Sequence, residues 1–276
     1  MNLFIAFTQQ KNMPTIQFSH ANGFPSQCYN HFFQFFGSDY EFTYVPLTGH
    51  GKYKAGRNWQ ALVQELIEDI EAKHDKPIIG MGHSLGGVLT LFASLQRPDL
   101  FEKVFILDPP LFSRKMRIFM GINYFLGLAG YLVPIAKKAK NRRSHFESRE
   151  QVYNSFKKKS LFKNFDEQCF KDYIQHGFKE AANGEGIELA FSKEAEYKGF
   201  CSTPFYIGNT NLQRPTYFIH AANKGVLRPQ DLQHLKDLFA PKATFIPFEG
   251  GHLFPLEQPK KTAHLLQNMI ADSHHI

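Results

Sequence analysis

Gly82-His83-Ser84-Leu85-Gly86 stands between the apolar run Pro77-Ile78-Ile79 and the helix-like run Val88-Leu89-Thr90-Leu91-Phe92-Ala93. A G-x-S-x-G at the seam of a strand and a helix is a nucleophile elbow, a turn tight enough to strain the serine backbone and lift its hydroxyl clear of the sheet. Gly82 and Gly86 fit because such a turn leaves no room for a Cβ on either side. The helix that follows presents unpaired N–H groups to negative charge developing at the serine. A glycine-flanked serine alone is an ordinary turn. The strand before it, the helix after it and the further glycines Gly80 and Gly87 favour the elbow.

Outward from this point the chain alternates strands with helices, the pattern of a largely parallel sheet covered on both faces. Thr15 to Phe18 and Glu41 to Val45 read as strands, each closed by a glycine-bearing turn, His20 to Pro25 and Leu47 to Gly51. From Trp59 to His74, Leu62, Val63, Leu66, Ile67 and Ile70 recur at helical spacing, with Glu65, Glu68, Asp69 and Glu71 on the polar side. Lys103 to Leu107 is a strand ending at Asp108-Pro109-Pro110. Alternation resumes with a strand at Thr216 to Ile219, a helix around Asp231 to Phe239, a strand at Ala243 to Pro247 and a closing helix to about Ala271. The expected fold class is α/β, a mostly parallel central sheet with helices on both faces and a mainly helical insertion. The expected division is a core of 1–110 and 204–276 with an inserted cap of 111–203.

Composition permits such an enzyme. A chain of 276 residues, 43% hydrophobic and 21% charged, is globular and long enough for a sizeable core. Its 29 phenylalanines against one tryptophan suit greasy internal surfaces. Cys28, Cys169 and Cys201 are scattered and odd in number, so neither a disulfide framework nor a metal motif follows, and no cofactor or metal is expected. Met1 to Phe7 is apolar but lacks a basic leader and adequate length, and reads as a first strand, not a signal peptide. A cytoplasmic location is the default expectation.

The order of elements and motifs resembles the α/β-hydrolase family from about Met1 to Pro110 and from about Pro204 onward. His20-Ala21-Asn22-Gly23-Phe24-Pro25 is similar to that family's oxyanion turn, and Gly49-His50-Gly51 to the turn after its next strand. Gly250-Gly251-His252, just after the last strand, resembles the loop that carries the catalytic histidine. The segment between falls where the family inserts a variable cap.

The resemblance implies that Ser84 attacks a carbonyl while His252 takes its proton and returns it to the leaving group. His83 is expected to orient the elbow, and His20 and His50 to bond loop backbone. One oxyanion donor is the N–H of Leu85, the residue after the nucleophile. For the second, Phe24 is the first choice and Asn22 the competitor. The triad acid departs from the family's usual place, where Lys224 stands, and a lysine cannot accept the histidine's N–H. Asp108, at the end of the preceding strand, is the expected acid. Asn223 could orient a neutral histidine only, and Glu249 is too close in sequence to His252.

Charge adds a second clue. From Leu111 to Phe200 there are 17 Lys and Arg against 10 Asp and Glu, so the whole net charge of +7 lies in the cap. Ile118 to Ala136 carries no charge, with Arg114, Lys115 and Arg117 before it and Lys137, Lys138, Lys140, Arg142 and Arg143 after it. Three glycines, Asn123 and Pro134 argue against a simple spanning helix. The expectation is one or two helices whose apolar side roofs the pocket above Ser84, either as a plain buried cap or with the basic residues facing an anionic membrane surface. No nucleic-acid module accompanies the basic patch. The expected activity is hydrolysis of a carboxylic ester with a lipophilic part. Lactonase, thioesterase and carbon–carbon bond hydrolase are alternatives, as is a non-catalytic binding protein.

Overall fold

The computed structural model describes residues 13–272 except 57, 205, 206 and 209. The strand expected at Met1 to Phe7 lies outside the described residues. Six strands form the central sheet: β1 (Thr15–Ser19), β2 (Glu41–Tyr44), β3 (Ile78–His83), β4 (Phe101–Leu107), β8 (Thr216–Ala221) and β9 (Ala243–Phe248). Their order is β2-β1-β3-β4-β8-β9, and every pairing is parallel. The first crossovers run to opposite sides of β1, so the strand order switches there. In an open parallel sheet the carboxyl ends at such a switch form the ligand crevice. The turn after β1 and the elbow after β3 both open into it.

Helices α1 (Asn30–Gln34), α2 (Gln60–Lys73), α3 (Leu85–Gln96), α10 (Pro229–Phe239), α11 (Phe254–Glu257) and α12 (Pro259–Ala271) cover the sheet. The apolar side of α2 is buried at Leu62, Val63, Leu66, Ile67 and Ile70, the positions at helical spacing. Behind Ser84, α3 is buried almost all round, as a helix against a sheet centre must be. A Cβ at Gly82 would collide with the Gly86 carbonyl, and one at Gly86 with the Ser19 carbonyl. These two glycines let α3 start hard against β1 and β3.

Between β4 and β8 stand α4 (Arg114–Phe125), α5 (Ala129–Leu132), α6 (Pro134–Asn141), α7 (Arg149–Phe156), α8 (Glu167–His176) and α9 (Lys193–Cys201). An antiparallel sheet of β5 (His145–Phe146), β6 (Phe178–Glu180) and β7 (Ile187–Leu189) accompanies them, in the order β5-β7-β6. The segment was expected to be mainly helical, and this sheet is an addition. Its strands have only two or three residues, too few to show an alternating pattern. One apolar cluster runs from Phe18 and Phe32 under the main sheet through Phe24 to Phe156, Phe162 and Tyr173 of the insertion. The phenylalanine richness therefore joins the insertion to the sheet in a shared core.

The uncharged stretch Ile118 to Ala136 departs from expectation. It forms α4, α5 and the start of α6, and its large side chains do not roof the pocket. Ala129 and Ala136, with the partly buried Tyr124 and Val133, face inward against Tyr197, Phe200 and Cys201 of α9, while Ile122, Leu126 and Tyr131 are exposed. The small cavity beside Asn22 and Leu85 is lined instead by Ala195, Glu196 and Gly199 of α9.

Candidate active site

Ser84 sits between β3 and α3 with φ 55° and ψ −120°, a left-handed conformation that costs a non-glycine residue about 1–3 kcal/mol. The sheet ladder over-determines it. The Ser84 N–H donates to the Leu107 carbonyl at 2.8 Å, and the Asp108 N–H donates to the Ile219 carbonyl at 2.8 Å. Adjacent strands thus deliver both residues to the same edge. His252 comes from the loop after β9. Its Nδ1 lies 2.6 Å from Asp108 Oδ2, and its Nε2 lies 3.0 Å from Ser84 Oγ. An ionised Asp108 accepts only, so Nδ1 carries the proton and Nε2 is left to accept from the serine hydroxyl.

Asp108 is fully buried, with φ 42°. Its Oδ1 accepts from the Ala221 N–H at 3.0 Å, and Oδ2 from the Val226 N–H at 3.1 Å. Burial, the largest single influence, pushes the carboxyl up, but His252 and these two amides together outweigh it and hold it below the ordinary carboxylate range. Lys224, in the loop between those amides, is exposed and has φ 46°. It lines an open groove of about 700 Å³ together with Lys163, Asn223 and His252. Glu249 points to Lys261 at 3.7 Å instead.

Three further histidines brace the site. His83 is fully buried; Tyr29 Oη–H donates to its Nδ1 at 2.7 Å, and its Nε2–H donates to the His252 carbonyl at 2.8 Å. The Ala21 N–H donates to Tyr29 Oη at 3.4 Å, so one buried chain of bonds ties the turn after β1 to the histidine loop. His20 donates from Nδ1 to the Ala21 carbonyl at 2.8 Å and accepts from the Thr48 N–H at 2.9 Å. His50 bonds the Thr48 carbonyl and accepts from the Ser192 N–H of the insertion at 2.9 Å. Tyr29 has no motif around it, and nothing in the sequence singled it out.

Burial drops His20 to about 4 and His83 to about 3, against an ordinary value of 6.5. Both therefore stay neutral when folded, while the unfolded chain protonates them near pH 6.5. Their contribution to stability is complete above that pH and is lost as pH falls from 6.5 toward about 4 and 3 respectively. At about 1.4 kcal/mol per unit, the full loss is on the order of 3 kcal/mol for His20 and 5 kcal/mol for His83. Urea unfolding as a function of pH should show a steep acid limb across this window, shallower in His83→Gln. A curve flat from pH 7 to 4 would refute the buried-neutral assignment.

The turn after β1 corrects one expectation. Gly23, with φ 79°, closes a turn in which the Phe24 N–H donates to the Ala21 carbonyl at 3.1 Å. That N–H is engaged, so Phe24 does not supply a free oxyanion donor. The Asn22 N–H donates no hydrogen bond among the described residues. Leu85 opens α3, and its N–H has no acceptor within the helix. Both Asn22 and Leu85 line a cavity of about 20 Å³, room for about one water, roofed by Ala195, Glu196 and Gly199 of α9.

The roof holds a buried ion pair. Glu196 is buried against Gly23, 3.2 Å from Arg142, and its backbone carbonyl accepts from the Asn22 side chain at 2.9 Å. Burial pushes its carboxyl up to about 7, with Arg142 pulling the other way. Among the described residues no group of His, Cys, Asp and Glu is arranged to hold a metal ion.

The chain is 28% identical over 95 residues to Lipase LipV of Mycobacterium tuberculosis, a match that spans 34% of this chain and 36% of that protein. It is 22% identical over 230 residues to a putative esterase/lipase of Haemophilus influenzae, covering 81% of this chain and 71% of that one. Among solved structures, E-2-(acetamidomethylene)succinate hydrolase superposes with a TM-score of 0.72 at 18% identity, over 94% of this chain and 91% of that one. Residues 47–259 match the family model described as alpha/beta hydrolase fold, and the chain belongs to that family.

Proposed function

We propose that this protein is a serine hydrolase that cleaves a carboxylic ester with a lipophilic part through an acyl-enzyme intermediate. The observation that carries the reading is the unbroken line from Asp108 through His252 to Ser84, at 2.6 and 3.0 Å. In it, Ser84 Oγ attacks the carbonyl carbon as its proton passes to His252 Nε2, and buried Asp108 stabilises the imidazolium. The carbonyl oxygen becomes an oxyanion facing the N–H groups of Leu85 and Asn22. Collapse expels the alkoxide, which takes the proton from His252 and leaves Ser84 acylated. Water then repeats the sequence with His252 as base and releases the acid. The open groove beside His252 gives the alcohol and the water their way to the ring.

The lipophilic part is proposed from the phenylalanine-rich surroundings of the turn after β1, where Phe24 and Phe191 line the small cavity beside Leu85. The lipase and esterase names of the two sequence relatives point the same way. The contact of Asp108 with His252 supports an enzyme over a non-catalytic binding protein.

A fluorophosphonate probe tests the reading. The expected result is a stoichiometric adduct on Ser84, located by peptide mass spectrometry and slowed strongly by His252→Ala. A folded protein that takes no adduct would leave the binding-protein reading as the better account.

A further inference from the structure

The outer face of α4, α5 and α6 is left apolar and uncovered. Phe119, Ile122, Leu126, Tyr131, Leu132 and Ile135 are exposed, Tyr131 by 77% and Leu126 by 60%. Monomeric proteins seldom leave so many large side chains together in water. The charge along these helices has one sign. Between Asp108 and Glu147 the sequence contains no acidic residue, and Arg114, Lys115, Lys137, Lys138, Lys140 and Arg143 are exposed within that span. Among the described residues no helix is long and apolar enough to cross a membrane. With 12 residues, α4 is about 18 Å long, against a hydrocarbon core of about 30 Å.

The geometry points to an interfacial docking surface: the α4–α6 face seats itself in the headgroup region of an anionic phospholipid bilayer, its large side chains among the upper acyl chains and its basic residues on lipid phosphates and carboxylates. Short helices laid flat, apolar on one side and rimmed by lysine and arginine, bind membranes in this way. A second copy of the chain fits less well. A two-fold contact would set this patch against itself, basic rim on basic rim, with no acidic residue on these helices to answer it. The inward side of the same helices packs on α9, which roofs the cavity beside Asn22, so a docked molecule holds its site next to the lipid phase. The docking surface stands apart from the hydrolase reading, because it needs neither Ser84 nor His252.

The test uses the full chain carrying Ser84→Ala, so that lipid is not consumed, and sedimentation with phosphatidylcholine vesicles or with the same vesicles containing phosphatidylserine. The expected result is strong partitioning onto the anionic vesicles, weak onto the neutral ones, and release by high salt. Lys137→Gln with Lys138→Gln should lower the partition coefficient about thirtyfold, since each basic residue near such a surface contributes about fivefold. Leu126→Glu with Tyr131→Glu should abolish partitioning with no change in thermal unfolding. Equal partitioning onto both vesicle types, or none onto either, would overturn the proposal. Concentration-dependent dimerisation that the Leu126 and Tyr131 changes remove would overturn it in favour of a second copy. In the unsubstituted protein, labelling of Ser84 without vesicle binding would remove the docking surface and leave the hydrolase reading intact.

Discussion

Ser84→Ala and His252→Ala each lower turnover of a soluble test ester by about 10⁶-fold, and the double variant is hardly worse than either single one. This is the largest effect expected of any substitution in the chain, and its form matters as much as its size. At 3.0 Å, Ser84 Oγ and His252 Nε2 share one proton, and neither side chain does its work without the other. Removing the second partner after the first therefore takes away nothing more. Independent contributions would multiply, and a double variant far below both single ones would break the link between the pair. Residual hydrolysis above the uncatalysed rate should survive in all three if the Leu85 and Asn22 amides form the oxyanion hole, as proposed.

Asp108→Asn is expected to lower turnover by about 10³–10⁴-fold while leaving KM nearly unchanged. The substitution keeps the shape of the side chain, but a neutral amide no longer stabilises the imidazolium. Its NH₂ group also competes for the position facing Nδ1, which favours the tautomer with the proton on Nε2, where the serine needs an acceptor. The two backbone donors to Asp108, from Ala221 and Val226, impose a further cost: one of them meets an amide nitrogen in place of an oxygen. Steady-state kinetics, together with thermal unfolding to separate lost catalysis from lost fold, decides the matter. A loss of less than tenfold in a fully folded variant would mean that Asp108 is a structural carboxylate and that His252 works without it.

The parts of this molecule that were legible in the sequence are those where one physical demand allows few residues. Gly82 and Gly86 are readable because an added Cβ at either would strike a backbone carbonyl. The strand cores are readable because buried parallel strands are unbroken apolar runs. Asp108 was reached by excluding Lys224, and the structure supplies what exclusion could not, the two amides that clamp it. Where a position depends on register, the sequence was silent or misleading. Whether Phe24 or Asn22 presents its N–H depends on which residue closes the turn, and Gly23 closes it on Phe24. The stretch Ile118 to Ala136 misled for another reason. An uncharged segment is normally read as an inward one, but here Ala129 and Ala136 face the protein and most of the large side chains face out. Composition carries no direction.

The clamp on Asp108 has a consequence for the loop that provides it. Ala221 and Val226 hold the carboxylate through main-chain N–H groups, which every residue but proline possesses. The four positions between them serve the proposed triad by the path of their backbone and not by their side chains. Chemistry and sequence are thereby uncoupled along this stretch, since the acid resides on one strand and the loop of the next is merely its cradle. A lysine with a left-handed backbone at 224 is tolerable on those terms, where a loop bearing the acid itself could not have admitted it. Freed from that role, Asn223 and Lys224 line the open groove outside.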